Sequence, residues 1–302
     1  MSIKKVTVLL LLGLSSLWAK NDLMRGLTDI VDRVEEKKAE DKKVLNYAFK
    51  QRMRTQWMSR DALLIFMDFN SSFYQKEIVV NADLFNKNFN NLINSKKDIK
   101  KAEKRDPNFA KKVEEVKEIW LTFYDSVKKI SKDSKDKDAL KLIVENNMKL
   151  LNGIAYIFTN FMESYQSTDK LEASMAHIKS MLYTQVGKPR MYINKLVKER
   201  LLIEQNINAK DNQNSFNQSV KDMDRLMKAL KDGDKELELH GTEDRKILEK
   251  LSISQKIWED VKAIAKKNSL NKKELSRLIE KNEEFIKAQT EVVKLTRELN
   301  NN

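Results

Sequence analysis

Apolar residues recur along most of this chain at alternating intervals of four and three, the period of a helix that buries one stripe. The clearest run is Phe109, Val113, Val116, Trp120, Phe123, Val127 and Ile130, which predicts a helix packed through a coiled-coil-like seam. After a short polar break the same spacing continues through Leu140, Val144, Asn147, Leu151, Ile154, Phe158, Phe161 and Tyr165. A late segment repeats it with Leu275, Ile279, Asn282, Ile286, Gln289 and Val293. An asparagine sits inside the stripe both times. A buried amide without a partner costs about 1 to 3 kcal/mol, so the pair reads as a register-fixing polar contact.

The two halves of the pattern are copies of one another. Adding 138 to Arg52, Met53, Leu63, Leu64, Ile65, Leu92, Ile119 and Trp120 reaches Arg190, Met191, Leu201, Leu202, Ile203, Leu230, Ile257 and Trp258. Beyond the tryptophan the offset falls to 135, which aligns Leu140, Asn147 and Leu151 with Leu275, Asn282 and Ile286. Each copy reads as four helices. In the first copy they run to about Phe73, from about Asn81 to Ser95, from about Pro107 to Ile130 with Asp106 as N-cap, and from about Asp138 to Tyr165. The expected fold is all-α: two tandem four-helix up-down bundles, residues 20–168 and 169–302. Residues 166–180 contain neither glycine nor proline, so a continuous helix is expected to join the bundles end to end as a rod.

Composition agrees and narrows the function. Six glycines and two prolines in 302 residues are too few for the turns of a sandwich, barrel or doubly wound sheet. No cysteine is present, and the two histidines, His177 and His240, fall in neither an HExxH nor an ExxH pattern. Phosphate-cradling glycine motifs are also missing. The chain therefore reads as a non-enzyme without a cofactor or metal.

Lys4 and Lys5, the apolar run Val6 to Leu14, and Ser15 to Ala19 have the layout of a secretory signal peptide spanning residues 1–19. Its removal lowers the net charge from +13 to +11, dispersed over lysine, glutamate and aspartate on helix faces, so nucleic acid is not the expected partner. The mature chain is expected in the periplasm without a membrane span.

One segment is densely polar. Leu45 to Gln56, with Asn46, Gln51, Arg52, Met53 and Gln56, corresponds to Tyr183 to Asn194, with Arg190 and Met191. A seam through Leu45, Ala48, Arg52, Thr55, Ser59, Ala62 and Phe66 puts Arg52 on the core-facing stripe, and Arg190 falls likewise. Such a guanidinium cannot shed its charge at ordinary pH. It either snorkels to a surface carboxylate or binds a small oxyanion or carboxylate, with Gln56 or Asn194 as a further donor.

These residues resemble the repeat-opening motif of the type IV pili methyl-accepting chemotaxis transducer N-terminal domain (PilJ type), related to the periplasmic domains of NarX-like nitrate/nitrite sensor kinases. The first copy matches at Leu45, Asn46, Gln51, Arg52, Met53, Thr55 and Gln56, with Phe49 where the motif has glycine. The second keeps Gly187, Arg190 and Met191 but has Thr184 and Pro189, the latter expected to kink its helix near Gln185. The resemblance implies a sensory bundle in which Arg52 and Arg190 bind an anion, with Asn46, Gln56 and Asn194 beside them. It also implies a separate membrane receptor or kinase as partner. The alternative is a structural or protein-interaction rod of the cell envelope. Measured along the helices, Arg52 is expected about 32 Å from the first turn and level with Glu163, away from Asn147.

Overall fold

The computed structural model describes residues 51–94, 96–164, 170–237 and 239–301. The leader expected at 1–19, Asn46 and the junction at 165–169 lie outside them. Residues 47–302 cluster as one compact unit. Among the described residues there are nine helices: α1 (51–66), α2 (Ser71–Ile93), α3 (Lys96–Glu103), α4 (Phe109–Ile130), α5 (Lys137–Ser164), α6 (Lys170–Glu204), α7 (Ala209–Asp232), α8 (Arg245–Ala265) and α9 (Lys272–Asn301). No strand accompanies them, and a single β-bridge joins Asp234 to Leu239. The protein is all-α, as its periodicity predicts. No helix among the described residues is long and apolar enough to cross a membrane.

All seven predicted stripe positions of α4, from Phe109 to Ile130, are buried. In the second copy α6, α7, α8 and α9 pack in a closed ring, each against the next and α9 back on α6. In the first, α2 packs on α4 and α4 on α5. There α1 closes the ring: Gln51 Nε2 donates to Phe85 O at 2.7 Å, and Asn147 Nδ2 donates to Thr55 O at 2.8 Å and Ser59 Oγ at 2.7 Å.

The boundary expected near Phe73 falls earlier, and the reason is backbone chemistry. Asp68 and Asn70 adopt positive φ, 55° and 49°, and so do their counterparts Asn206 and Asn208, 54° and 44°. Short amide and carboxylate side chains tolerate this left-handed conformation. The turn closes identically in both copies, Phe69 N to Leu64 O and Ile207 N to Leu202 O, each at 2.9 Å. Asp106 also departs from expectation. It accepts from Asn108 N at 3.0 Å and from the Tyr156 hydroxyl, and α4 starts two residues past Pro107. Pro189 lies inside α6, which stays helical through it. The segment after α2 diverges between copies: it is the short helix α3 in the first, whereas in the second Gly233 (φ 88°) and Gly241 (φ 73°) flank the bridge between Asp234 and Leu239.

The end-to-end rod does not form. Lys198 Nζ on α6 lies 2.7 Å from Asn147 Oδ1 on α5. One straight helix would hold these residues roughly 76 Å apart at 1.5 Å per residue. The copies instead lie side by side. Arg52 is within electrostatic reach of Lys188 and Tyr192, two residues before and two after its own counterpart Arg190. Phe66 shares a cavity of about 530 Å³ with Gln205, Ile207 and Asn208 of the second copy's turn. Both facts place α1 and α6 parallel and in register, with an approximate two-fold axis along the bundle.

Candidate functional site

The face shared by α1 and α6 is a buried polar seam. Arg60 Nη1 donates to Asn194 Oδ1 at 2.9 Å and to Asn282 Oδ1 at 2.6 Å. Lys198 Nζ donates to Gln56 Oε1 at 3.1 Å and to Asn147 Oδ1 at 2.7 Å. The offset that relates Arg60 to Lys198 also relates Gln56 to Asn194, so one contact is made twice, once in each direction across the two-fold. Each long cation reaches back toward the N-terminus of its helix, as helical side chains do. All six residues are buried. Each of the four amides accepts a charged donor, the stronger class of hydrogen bond.

This arrangement assigns Asn147 and Asn282 a task within the seam. Asn147 receives Lys198 and donates to Thr55 and Ser59 of α1. Asn282 receives Arg60, but its Nδ2 is buried without an acceptor. One of the two acceptors of Asn147 is missing there, because the serine hydroxyl at 59 is a valine at 197. Asn147 stands opposite Thr55 and Ser59, which puts Arg52 roughly level with residue 152 and not with Glu163. The difference follows from the early end of α1.

Gln56 and Asn194, expected as donors to a ligand, are committed to the seam. Gln56 donates to Thr55 Oγ1 at 3.2 Å, and Asn194 donates to Arg190 O at 2.7 Å. Asn46 lies outside the described residues. The two arginines take the predicted stripe about two turns below Arg60. Arg52 is half-buried, and its Nε is shielded from solvent without a hydrogen-bond partner. Burial lowers its pKa, with Tyr192 as the opposing influence. Lys188 beside it is lowered by burial and then by Arg52 itself. Arg190 donates to Thr290 Oγ1 at 3.4 Å, and burial followed by Arg297 pushes its pKa down to about 10. Arg54 is lowered by burial. Burial therefore disfavours the charge on Arg52, Arg54, Lys188 and Arg190, and a second cation adds to the fall at Lys188 and Arg190.

The sequence reading passed over Arg60 and Lys198, the two cations that hold the copies together. A signal existed: basic residues at one offset, each followed by an acid, Asp61 or Glu199, within otherwise apolar stretches. The seam traced through Ser59 and Ala62 left both positions on the outer side of the single bundle. There they face the second copy. Among the described residues no group of three or more His, Asp or Glu is arranged to hold a metal ion. No protein family, curated protein or solved structure matches this chain.

Proposed function

We propose that the protein is an exported, non-catalytic sensory bundle that binds a small oxyanion or carboxylate at the foot of the seam and acts through a separate membrane partner. The observation that carries this reading is the half-buried Arg52, whose Nε has no acceptor, within electrostatic reach of Lys188. Both side chains are half-buried, burial lowers the pKa of each, and the Arg52 charge lowers that of Lys188 further. An anion between them would reverse both penalties and fill the guanidinium fork. It would also bridge the copies, which gives binding a means of altering their packing. The PilJ-type resemblance points to the same arginine.

The test is thermal shift on dialysed protein with nitrate, nitrite and acetate at constant ionic strength, chloride being the reference. At least one anion is expected to raise Tm in the wild type. Arg52→Ala should remove that shift, at a cost of about 1.5 to 3 kcal/mol in binding for a charge-assisted contact, and Lys188→Ala should weaken it. A shift of equal size in wild type and Arg52→Ala discards the site.

A further inference from the structure

We propose a second, independent site: the cleft between α1, α2 and α9 binds a small aliphatic primary amine as its ammonium ion. The cleft has a volume of about 260 Å³ and is lined by Trp57, Asp61, Phe73, Tyr74, Glu77 and Glu283. Liquid water occupies about 30 Å³ per molecule, so the space admits a ligand of several heavy atoms.

The second copy supplies the argument, because there the equivalent place holds an ammonium already. Positions 57, 61, 77 and 81 correspond by the offset of 138 to Lys195, Glu199, Ser215 and Ser219. Lys195 Nζ pairs with Glu199 Oε1 at 2.6 Å and donates to Ser219 Oγ at 2.6 Å and Ser215 Oγ at 3.2 Å. Ser219 Oγ in turn donates to Glu199 Oε2 at 2.8 Å, so the group is closed and satisfied. In the first copy the lysine is replaced by Trp57, which cannot reach its acceptors with a cation. The acceptors remain and are more anionic: Asp61, Glu77 and Asn81 stand where Glu199, Ser215 and Ser219 stand, and α9 adds Glu283.

The charge balance favours a cation. Asp61 Oδ1 receives Arg60 Nε at 2.9 Å and Nη2 at 2.7 Å, while Glu77 and Glu283 both repel the Asp61 carboxylate. The other cation lining the cleft is the exposed Lys287. Aromatic walls suit an organic cation, since a ring face attracts positive charge. Arg60 already lies over the Tyr74 ring at 5.9 Å from its centroid. The ligand's N–H groups would take the carboxylates as Lys195 takes Glu199, and its carbon chain would lie against Trp57 and Phe73.

Isothermal titration of the full chain with butylammonium chloride, at fixed ionic strength and with tetramethylammonium as control, tests this. Saturable binding of one butylammonium per chain is expected, with tetramethylammonium weaker by about tenfold or more because it has no N–H to donate. Trp57→Lys, which installs the lysine of the second copy, should abolish binding while leaving the circular dichroism helical. Glu77→Gln changes a half-exposed residue and reports even if Trp57→Lys fails to fold. It should weaken binding by about tenfold, the effect of one lost charge-assisted contact. No saturable heat in the wild type, or affinity unchanged in Glu77→Gln, overturns the proposal. The anion site is read by a different variant, so either site can fail alone.

Discussion

Arg60 turns Nε and Nη2 onto a single oxygen of its sequence neighbour Asp61, at 2.9 and 2.7 Å, with both side chains buried. Lys198, its counterpart in the second copy, has no carboxylate among its hydrogen-bond acceptors, which are Gln56 and Asn147. The same location in the fold thus holds a salt-bridged cation on one side of the axis and an amide-solvated one on the other.

Truncation should therefore cost unequally. Arg60→Met strands the buried Asp61 and should destabilise by about 3 to 5 kcal/mol, the usual cost of breaking a buried pair from one side. Lys198→Met leaves two amides without their donor but no orphan charge, and should cost about 1 to 3 kcal/mol. Adding Asp61→Leu to Arg60→Met should recover much of the loss. Urea midpoints of the four proteins check the order, and equal losses in the two single variants would refute it.

Lys198 also makes stability depend on pH. Burial pushes its pKa down to about 8, with Glu199 pulling upward and Lys195 adding to the fall, against an ordinary value of 10.5. Between those values the unfolded chain holds more protons than the folded one, so stability rises with pH. Below about pH 8 the full penalty is present. From pH 8 to 10 the gain should reach about 2 kcal/mol. Above pH 10 Tyr74 acts oppositely: burial, foremost, raises its pKa to about 12, so the folded state keeps a proton that the unfolded state loses. Lys188 adds a rise of the same sign as Lys198. The measurement is thus the difference between wild type and Lys198→Met in urea midpoint at pH 7.5 and pH 9.5, and an identical rise in both would refute the assignment.

Helix content, the duplication and the apolar stripe of α4 were legible because periodicity survives in any amphipathic helix, and the stripe from Phe109 to Ile130 is buried as its spacing implied. The end of α1 was not legible, because its stop is written in Asp68 and Asn70, residues compatible with helix as well as with positive φ. Glycine would have announced it. The side-by-side packing was hidden for another reason. A single helical wheel assigns one buried stripe, whereas α1 buries two faces, so that Met58, Arg60 and Asp61 are buried along with Ser59 and Ala62. Of the candidate site, Arg52 and Arg190 fell on the stripe as read. Gln56 and Asn194 were read as donors to a ligand, whereas their amide oxygens accept from cations 142 and 134 residues away.

Gly153 on α5 faces Val116 on α4 so closely that an added Cβ would collide with Val116 Cγ2 and reach Cγ1 at 3.2 Å. The second copy has Ser254 and Ala288 at these positions, a smaller residue than valine facing a larger one than glycine. Gly153→Ala should consequently destabilise by about 1 to 3 kcal/mol through overpacking, although the same change usually stabilises a helix by about 1 kcal/mol. Paired with Val116→Ala it should be tolerated, with a coupling of about 1 kcal/mol or more in a double-mutant cycle of denaturation free energies. Additive losses would contradict the contact.

A dimer of identical chains makes every cross-axis contact twice, residue i to j and j to i, so any change at such an interface strikes twice. Here both halves are encoded in one chain, and that constraint is lifted. Trp57 and Lys195 are the visible result: one half keeps an internal plug while the other dispenses with it. A mutation at the open cleft leaves the plugged half untouched, and the lineage can explore new chemistry on one flank while the other continues to hold the molecule together.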